Sequence, residues 1–166
     1  MDKLIAQLEQ ASVPARAVPY DPGFRPAALW TRAYRKLVAE NAARRKVQIA
    51  LGRPDGIVYH YELEILPWCA ETAEATYRYI ERTLKYLLWQ KGGCNVWIAG
   101  CPEAAARLAT DYRAGGAHAF DADVMGETVF SAPFTVKACT EAELPAASET
   151  QFKMGGCWKG CRIGFD

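Results

Sequence analysis

Lys46-Val-Gln-Ile-Ala-Leu-Gly-Arg-Pro-Asp-Gly-Ile-Val-Tyr-His-Tyr-Glu-Leu-Glu-Ile-Leu66 is the stretch whose reading decides the fold. Val47, Ile49 and Leu51 alternate with Lys46, Gln48 and Ala50. After Gly52-Arg-Pro-Asp-Gly56, the residues Ile57, Tyr59, Tyr61, Leu63 and Ile65 alternate with Val58, His60, Glu62 and Glu64. Period-two alternation on either side of a Pro-Asp-Gly turn predicts a β-hairpin with one buried face. His60, Glu62 and Glu64 then share the outer face. A metal or an acid–base pair is the functional reading of that row. Nothing else in the sequence converges on it, so it is read as a water-facing row on a sheet.

Working outward, residues 71–90 form the longest helical pattern. Ala73, Tyr77, Ile80, Leu84, Leu87 and Leu88 fall on one stripe, while Glu74, Arg78, Glu81, Arg82 and Lys85 lie off it. Acidic residues open this segment and Gly92-Gly93 ends it. Such a helix packs on the hairpin, with Tyr77, Tyr79, Tyr86 and Trp89 read as core and rim. Upstream, residues 27–41 repeat the spacing with Leu29, Trp30, Ala33, Tyr34, Leu37 and Val38. Arg32, Arg35 and Lys36 are read as its solvated face. Leu4, Ile5 and Leu8 begin a short first helix, and the prolines from Pro14 to Pro26 impose an extended, turn-rich connection.

Downstream, Asn95-Val-Trp-Ile-Ala99 reads as a buried strand, Gly100-Cys101 as a turn and Pro102 as the first position of a helix to about residue 113. A helix start behind a glycine can bind an anion, which makes Gly100 and Cys101 candidate ligand-binding residues. One glycine is neither a dinucleotide fingerprint nor a P-loop. Residues 119–125, 128–131 and 134–139 read as strands. On the first of them Asp121 and Asp123 would share a face, as charges that protect an exposed edge. The middle of the chain alternates strands with helices, which predicts an α/β fold (α+β being the alternative): a mixed sheet with a layer of helices on each side.

Of 166 residues about half are apolar, enough for one well-buried domain. Twenty basic against nineteen acidic residues give a net charge of +1, which leaves no footprint for nucleic acid. No apolar run has the length of a bilayer span and the first residues lack a signal pattern, so a cytoplasmic protein without membrane contact is expected. Six cysteines at irregular spacing read as thiols rather than a disulfide framework. Cys157-Trp-Lys-Gly-Cys161 invites a zinc reading, but four ligands are wanted and no second close pair is present. With two histidines and no nucleophile motif, acid–base catalysis by this chain alone is not expected.

The last residues, Arg162-Ile-Gly-Phe-Asp166, alternate like a buried strand that delivers a carboxylate to its tip. Ile163-Gly164-Phe165-Asp166 resembles the first phosphate-binding motif of the sugar kinase, Hsc70 and actin superfamily, and most closely the strand that opens kinase domains of the ROK family. The resemblance implies a longer parent that transfers the ATP γ-phosphate to a sugar. In it Asp166 would bind the Mg-ATP cofactor through the metal, and the glycine turn after it would cradle phosphates. On this reading residues 1–140 are an N-terminal accessory domain, 141–156 a linker and 157–166 the first strand of a truncated kinase-like domain. The partner of the fragment is then its own missing C-terminal kinase-like domain, and with it a sugar. The fragment alone is expected to be non-catalytic and to bind no cofactor itself. The alternative is a self-contained α/β binding module. A DNA-binding regulator is disfavoured by the neutral charge and by a hairpin where a winged helix would stand.

Overall fold

A computed structural model describes residues 3–16 and 18–148. The elements run α1 (Lys3–Ala11), α2 (Ala27–Glu40), β1 (Arg45–Gly52), β2 (Val58–Ile65), α3 (Ala73–Lys91), β3 (Asn95–Ala99), α4 (Pro102–Asp111), α5 (Ala119–Asp123) and β4 (Thr135–Cys139). The four strands form one mixed sheet in the order β2-β1-β3-β4, with β1 antiparallel to both neighbours and β3 parallel to β4. The fold is α/β, as the alternation of patterns predicts. No helix among the described residues is long and apolar enough to cross a membrane.

The hairpin forms in the expected register. Val47 faces Leu63, Ile49 faces Tyr61 and Leu51 faces Tyr59. The turn closes through Arg53 N–H to the Ile57 carbonyl at 2.9 Å, and Asp55 accepts both from the Ile57 N–H and from the Arg53 guanidinium. Gly56 supplies the left-handed conformation that the turn requires, at φ +84°. Val47, Ile49, Leu51, Leu63 and Ile65 are buried with Val96 and Ile98 of β3 in a single core. Leu8, Trp30, Tyr34, Ile80, Leu84 and Leu108 bring α1, α2, α3 and α4 onto that same face.

Two expectations are corrected. Among the described residues the five helices lie on one face of the sheet, not on both. The opposite face carries Lys46, His60, Glu62 and Glu64, which a second helix layer would have to desolvate. Lys46 pairs there with Glu62 at 3.1 Å and Arg44 with Glu64 at 3.0 Å, exposed pairs of small energetic weight. Ala50 and Gly52 are nevertheless buried on this side. The Trp97 ring covers Gly52 so closely that a Cβ there would meet it at 2.7 Å. The segment from 141, expected as a linker, turns at Glu141–Glu143 under a Thr140–Glu143 capping box. It then crosses this outer face to the far edge of the sheet. The Pro145 carbonyl meets His60 Nε2 at 2.7 Å, and Ser148 exchanges hydrogen bonds with both backbone groups of Val58.

The second correction concerns residues 119–131, read as strands but folded as α5 followed by a π-helical turn, Val124–Thr128. Strand alternation would bury Phe120 and expose Asp121. Instead Phe120 is 71% exposed and Asp121 only 4%. Burial falls on Asp121, Ala122, Met125 and Gly126, a helical spacing. Gly126 lies so near the Ala132 carbonyl that a Cβ would sit 2.7 Å from it.

The helix layer is tied together by Tyr34. Its buried hydroxyl accepts from the Leu66 N–H at 3.1 Å and bonds the Thr76 hydroxyl at 2.9 Å, so α2, the end of the hairpin and α3 meet at one oxygen. Tyr34→Phe leaves both partners unsatisfied, and urea titration is expected to show a loss of about 1–3 kcal/mol. Burial pushes the Tyr34 hydroxyl up to about 12. Its contribution is therefore full below the ordinary tyrosine pKa of about 10 and is lost as pH rises through the folded value. The variant should lose part of that alkaline slope; an unchanged midpoint in urea would show that Tyr34 is not the tie described.

Candidate functional site

The residues singled out in the sequence do not converge. Gly100 adopts φ +91° with its Cα against β1, where a Cβ would lie 2.3 Å from the Lys46 carbonyl oxygen. Its own carbonyl accepts from Arg45 at 2.7 Å. Cys101 is wholly buried at the start of α4, with its thiol directed at Glu103. This turn is spent on joining α4 to the sheet. His60 is bonded to Pro145, and Glu62 and Glu64 are engaged by Lys46 and Arg44. Asp123 stands apart from Asp121 in a helical turn rather than on a shared strand face. Cys157, Cys161 and Asp166 lie outside the described residues. Among the described residues, no group of three or more His, Cys, Asp or Glu side chains is placed to hold a metal ion.

What the fold does bring together is a set of arginines and tyrosines that the sequence scatters. A cleft of about 720 Å³ opens between α2, α3 and the β2 edge of the sheet. Arg32 and Arg35 line it from α2, Arg82 and Lys85 from α3, and Tyr61 and Tyr79 form part of its wall. No Asp or Glu lines it. The first turn of α2 also faces the cleft through Ala27 and Ala28, and Pro26 before it supplies no side-chain cap. A helix start adds partial positive charge to that of the side chains.

The positions follow from the local sequence. Trp30, Tyr34 and Val38 recur every four residues, and their burial fixes the rotation of α2. Arg32 and Arg35 are thereby turned away from the core. An aromatic column then fixes the cations: Trp30 stacks on Tyr34 with ring centroids 5.5 Å apart, and Tyr34 meets Tyr79 at 4.6 Å. The Arg82 guanidinium lies 5.0 Å from the Trp30 centroid, with Arg78 at 5.4 Å. Arg35 donates through Nε to the Tyr79 hydroxyl at 2.8 Å, which holds its pKa above the ordinary arginine value.

Arg82 is the group under stress. Burial, then the neighbouring Arg78, lowers its pKa, against the opposing pull of the Glu81 and Glu9 carboxylates. Its Nη1 is buried and has no hydrogen-bond acceptor among the described residues. A guanidinium stays charged in a protein, so the cost of burying it is electrostatic.

The acidic groups gather on the other side of α3. Asp121 accepts from Trp89 Nε1 at 2.9 Å and pairs with Lys85 at 2.9 Å, with His118 Nδ1 at 3.7 Å. His118 Nε2 lies 3.2 Å from Glu81. Arg107 grips Glu74 through two nitrogens, and the Tyr77 hydroxyl donates to Asp111. The cavity beside them, about 330 Å³, is lined by groups that already satisfy one another. That internal pairing sets it apart from the arginine cleft, where among the described residues Lys85 is the one lining cation in an ion pair, although Glu81 and Glu9 act on Arg82 at longer range.

No family model, curated protein or solved structure matches this chain.

The same burial that removes Cys101 from a binding role governs thiol chemistry. Burial raises the thiol pKa of Cys94 and of Cys101, the latter also beside the Glu103 carboxylate. Cys69 is exposed. Alkylation of the native chain followed by peptide mapping should label Cys69 well before Cys94 and Cys101, which react only on unfolding. Rapid native labelling of Cys101 would show an accessible turn and restore it as a binding candidate.

Proposed function

We propose that the described part of this chain is a binding module that takes a small, multiply charged anion in the cleft between α2 and α3. One observation carries the reading: three arginines line a concave surface that has no carboxylate in its lining, and a buried nitrogen of one of them, Arg82 Nη1, lacks an acceptor among the described residues. With a net charge of only +1 overall, this concentration comes from spatial sorting and not from general basicity. Planar guanidinium groups match the oxygens of phosphate or carboxylate two at a time. The volume lies in the ordinary range of ligand sites, about 300–1,000 Å³.

Calorimetric titration with inorganic pyrophosphate at low ionic strength should give saturable binding that weakens as salt is raised. Arg82→Ala and Arg32→Ala should each reduce affinity by about tenfold, the weight of one charge-assisted hydrogen bond. Arg32 is exposed, so its variant tests the site without disturbing the core. Lys36→Ala, outside the cleft and within 4.0 Å of Glu40, should change nothing. No binding, or equal affinity in all three variants, overturns the reading.

A second proposal, the ROK-like sugar kinase parent, is carried by Ile163 to Asp166 alone. Its expected outcome is a coding sequence that continues past Asp166 into a Gly-Gly-Ser/Thr turn; a different continuation overturns it.

A further inference from the structure

The arginine cleft does not end at its cationic part. A second cavity of about 430 Å³ adjoins it and shares Tyr61 and Tyr86 with it as common walls. Beyond that pair of rings the lining changes character. Tyr59, Leu51 and Leu87 supply flat and apolar surface, and His60, Gln90 and Lys91 complete the lining. Lys91 Nζ lies 5.5 Å from the Tyr59 ring centroid. The groove therefore has a cationic part and an adjoining aromatic part whose lining includes an amide and an ammonium group.

Tyr86 is 58% exposed, whereas Tyr77 and Tyr79 of the same helix are buried. A tyrosine left in water beside two half-buried tyrosines of β2 makes a platform for a planar ring. The reason for the groove lies in the topology. β2 is the edge strand of the sheet, so its Tyr59 and Tyr61 face the helix layer where that layer runs out. The helices stop short and leave the rings uncovered on one side.

From this juxtaposition we infer that the ligand is a nucleotide, its phosphate held by Arg32, Arg35 and Arg82 and its base laid among Tyr59, Tyr61 and Tyr86. The inference rests on the anion reading of the cleft and adds to it the second half of the ligand. A bare anion would leave the tyrosine-lined cavity unused. A plain aryl phosphate would leave Gln90 without a role, whereas a base edge offers the donors and acceptors that an amide pairs with. Stacking on aromatic side chains tolerates any base, so the class is set by the geometry and the particular base is not.

The full chain is titrated calorimetrically with inorganic phosphate, AMP and phenyl phosphate. AMP is expected to bind at least about tenfold more tightly than phosphate, in line with the contribution of one stacked base. Tyr86→Ala and Gln90→Ala, both at exposed positions, should each cut that AMP-to-phosphate ratio severalfold. Equal binding of AMP and phosphate overturns the nucleotide and leaves the anion site standing. Phenyl phosphate bound as tightly as AMP overturns it likewise, as does an AMP advantage that survives both substitutions. If neither phosphate nor AMP binds, the cleft reading itself falls and the nucleotide with it.

Discussion

The Tyr34 hydroxyl sits where α2, α3 and the end of the hairpin meet, and the arrangement of everything around the cleft depends on that contact. Its ring is pinned between Trp30 and Tyr79, so the angle and distance between the two helices are set by aromatic packing and not by sliding aliphatic surfaces. The guanidinium groups are fixed to the same column. Arg82 lies over the indole and Arg35 is tied to the Tyr79 hydroxyl, so the charges stand on the rigid part of the molecule. A site built on packed helices keeps its geometry before a ligand arrives.

The helix layer also separates charge. α3 sends Glu74 and Glu81 to one side, where Arg107, His118 and Arg78 lie among them, and sends Arg82 and Lys85 to the other. The acidic side closes on itself through ion pairs and the Tyr77–Asp111 hydrogen bond. Lys85 joins the two sides, lining the cleft while its ammonium reaches the buried Asp121 carboxylate. Arg32, Arg35 and Arg82 line the same concave surface. Like charges held in a concave, partly desolvated surface raise the local potential and favour an anion there. The half-buried tyrosines of β2 continue the same surface at the edge strand, where the helix layer leaves Tyr59 and Tyr61 partly exposed.

Much of this fold was legible in residues 46–66 and 71–90, since period-two and helical burial patterns there coincide with real strands and a real helix. Residues 119–125 misled because Asp121, charged and in an alternating run, belongs to the buried set. It is buried against Lys85 and Trp89, partners from α3, with His118 one helical turn before it. The outer face of the sheet was readable as polar, but the segment 144–148 that crosses it is recorded in no periodicity; its attachment runs through backbone groups of Pro145 and Ser148. The cleft was the least visible. Arg32 and Arg35 look like an ordinary solvated helix face, and so do Arg82 and Lys85. They come to line one cleft only because the packing of Trp30 and Tyr34 sets α2 beside α3. Gly100 showed the reverse: a turn whose glycine suggests an anion cradle serves the close approach of β1.

The central claim is that the arginines of the α2–α3 cleft, and not basic side chains at large, receive an anion. Heteronuclear NMR of the arginine Nε–Hε groups during a phosphate titration addresses it directly. The account predicts saturable shifts confined to Arg32, Arg35 and Arg82, with Arg44, Arg53 and Arg107 unmoved. Uniform small shifts across all arginines, or shifts centred on Arg107 and the acidic side of α3, would contradict it.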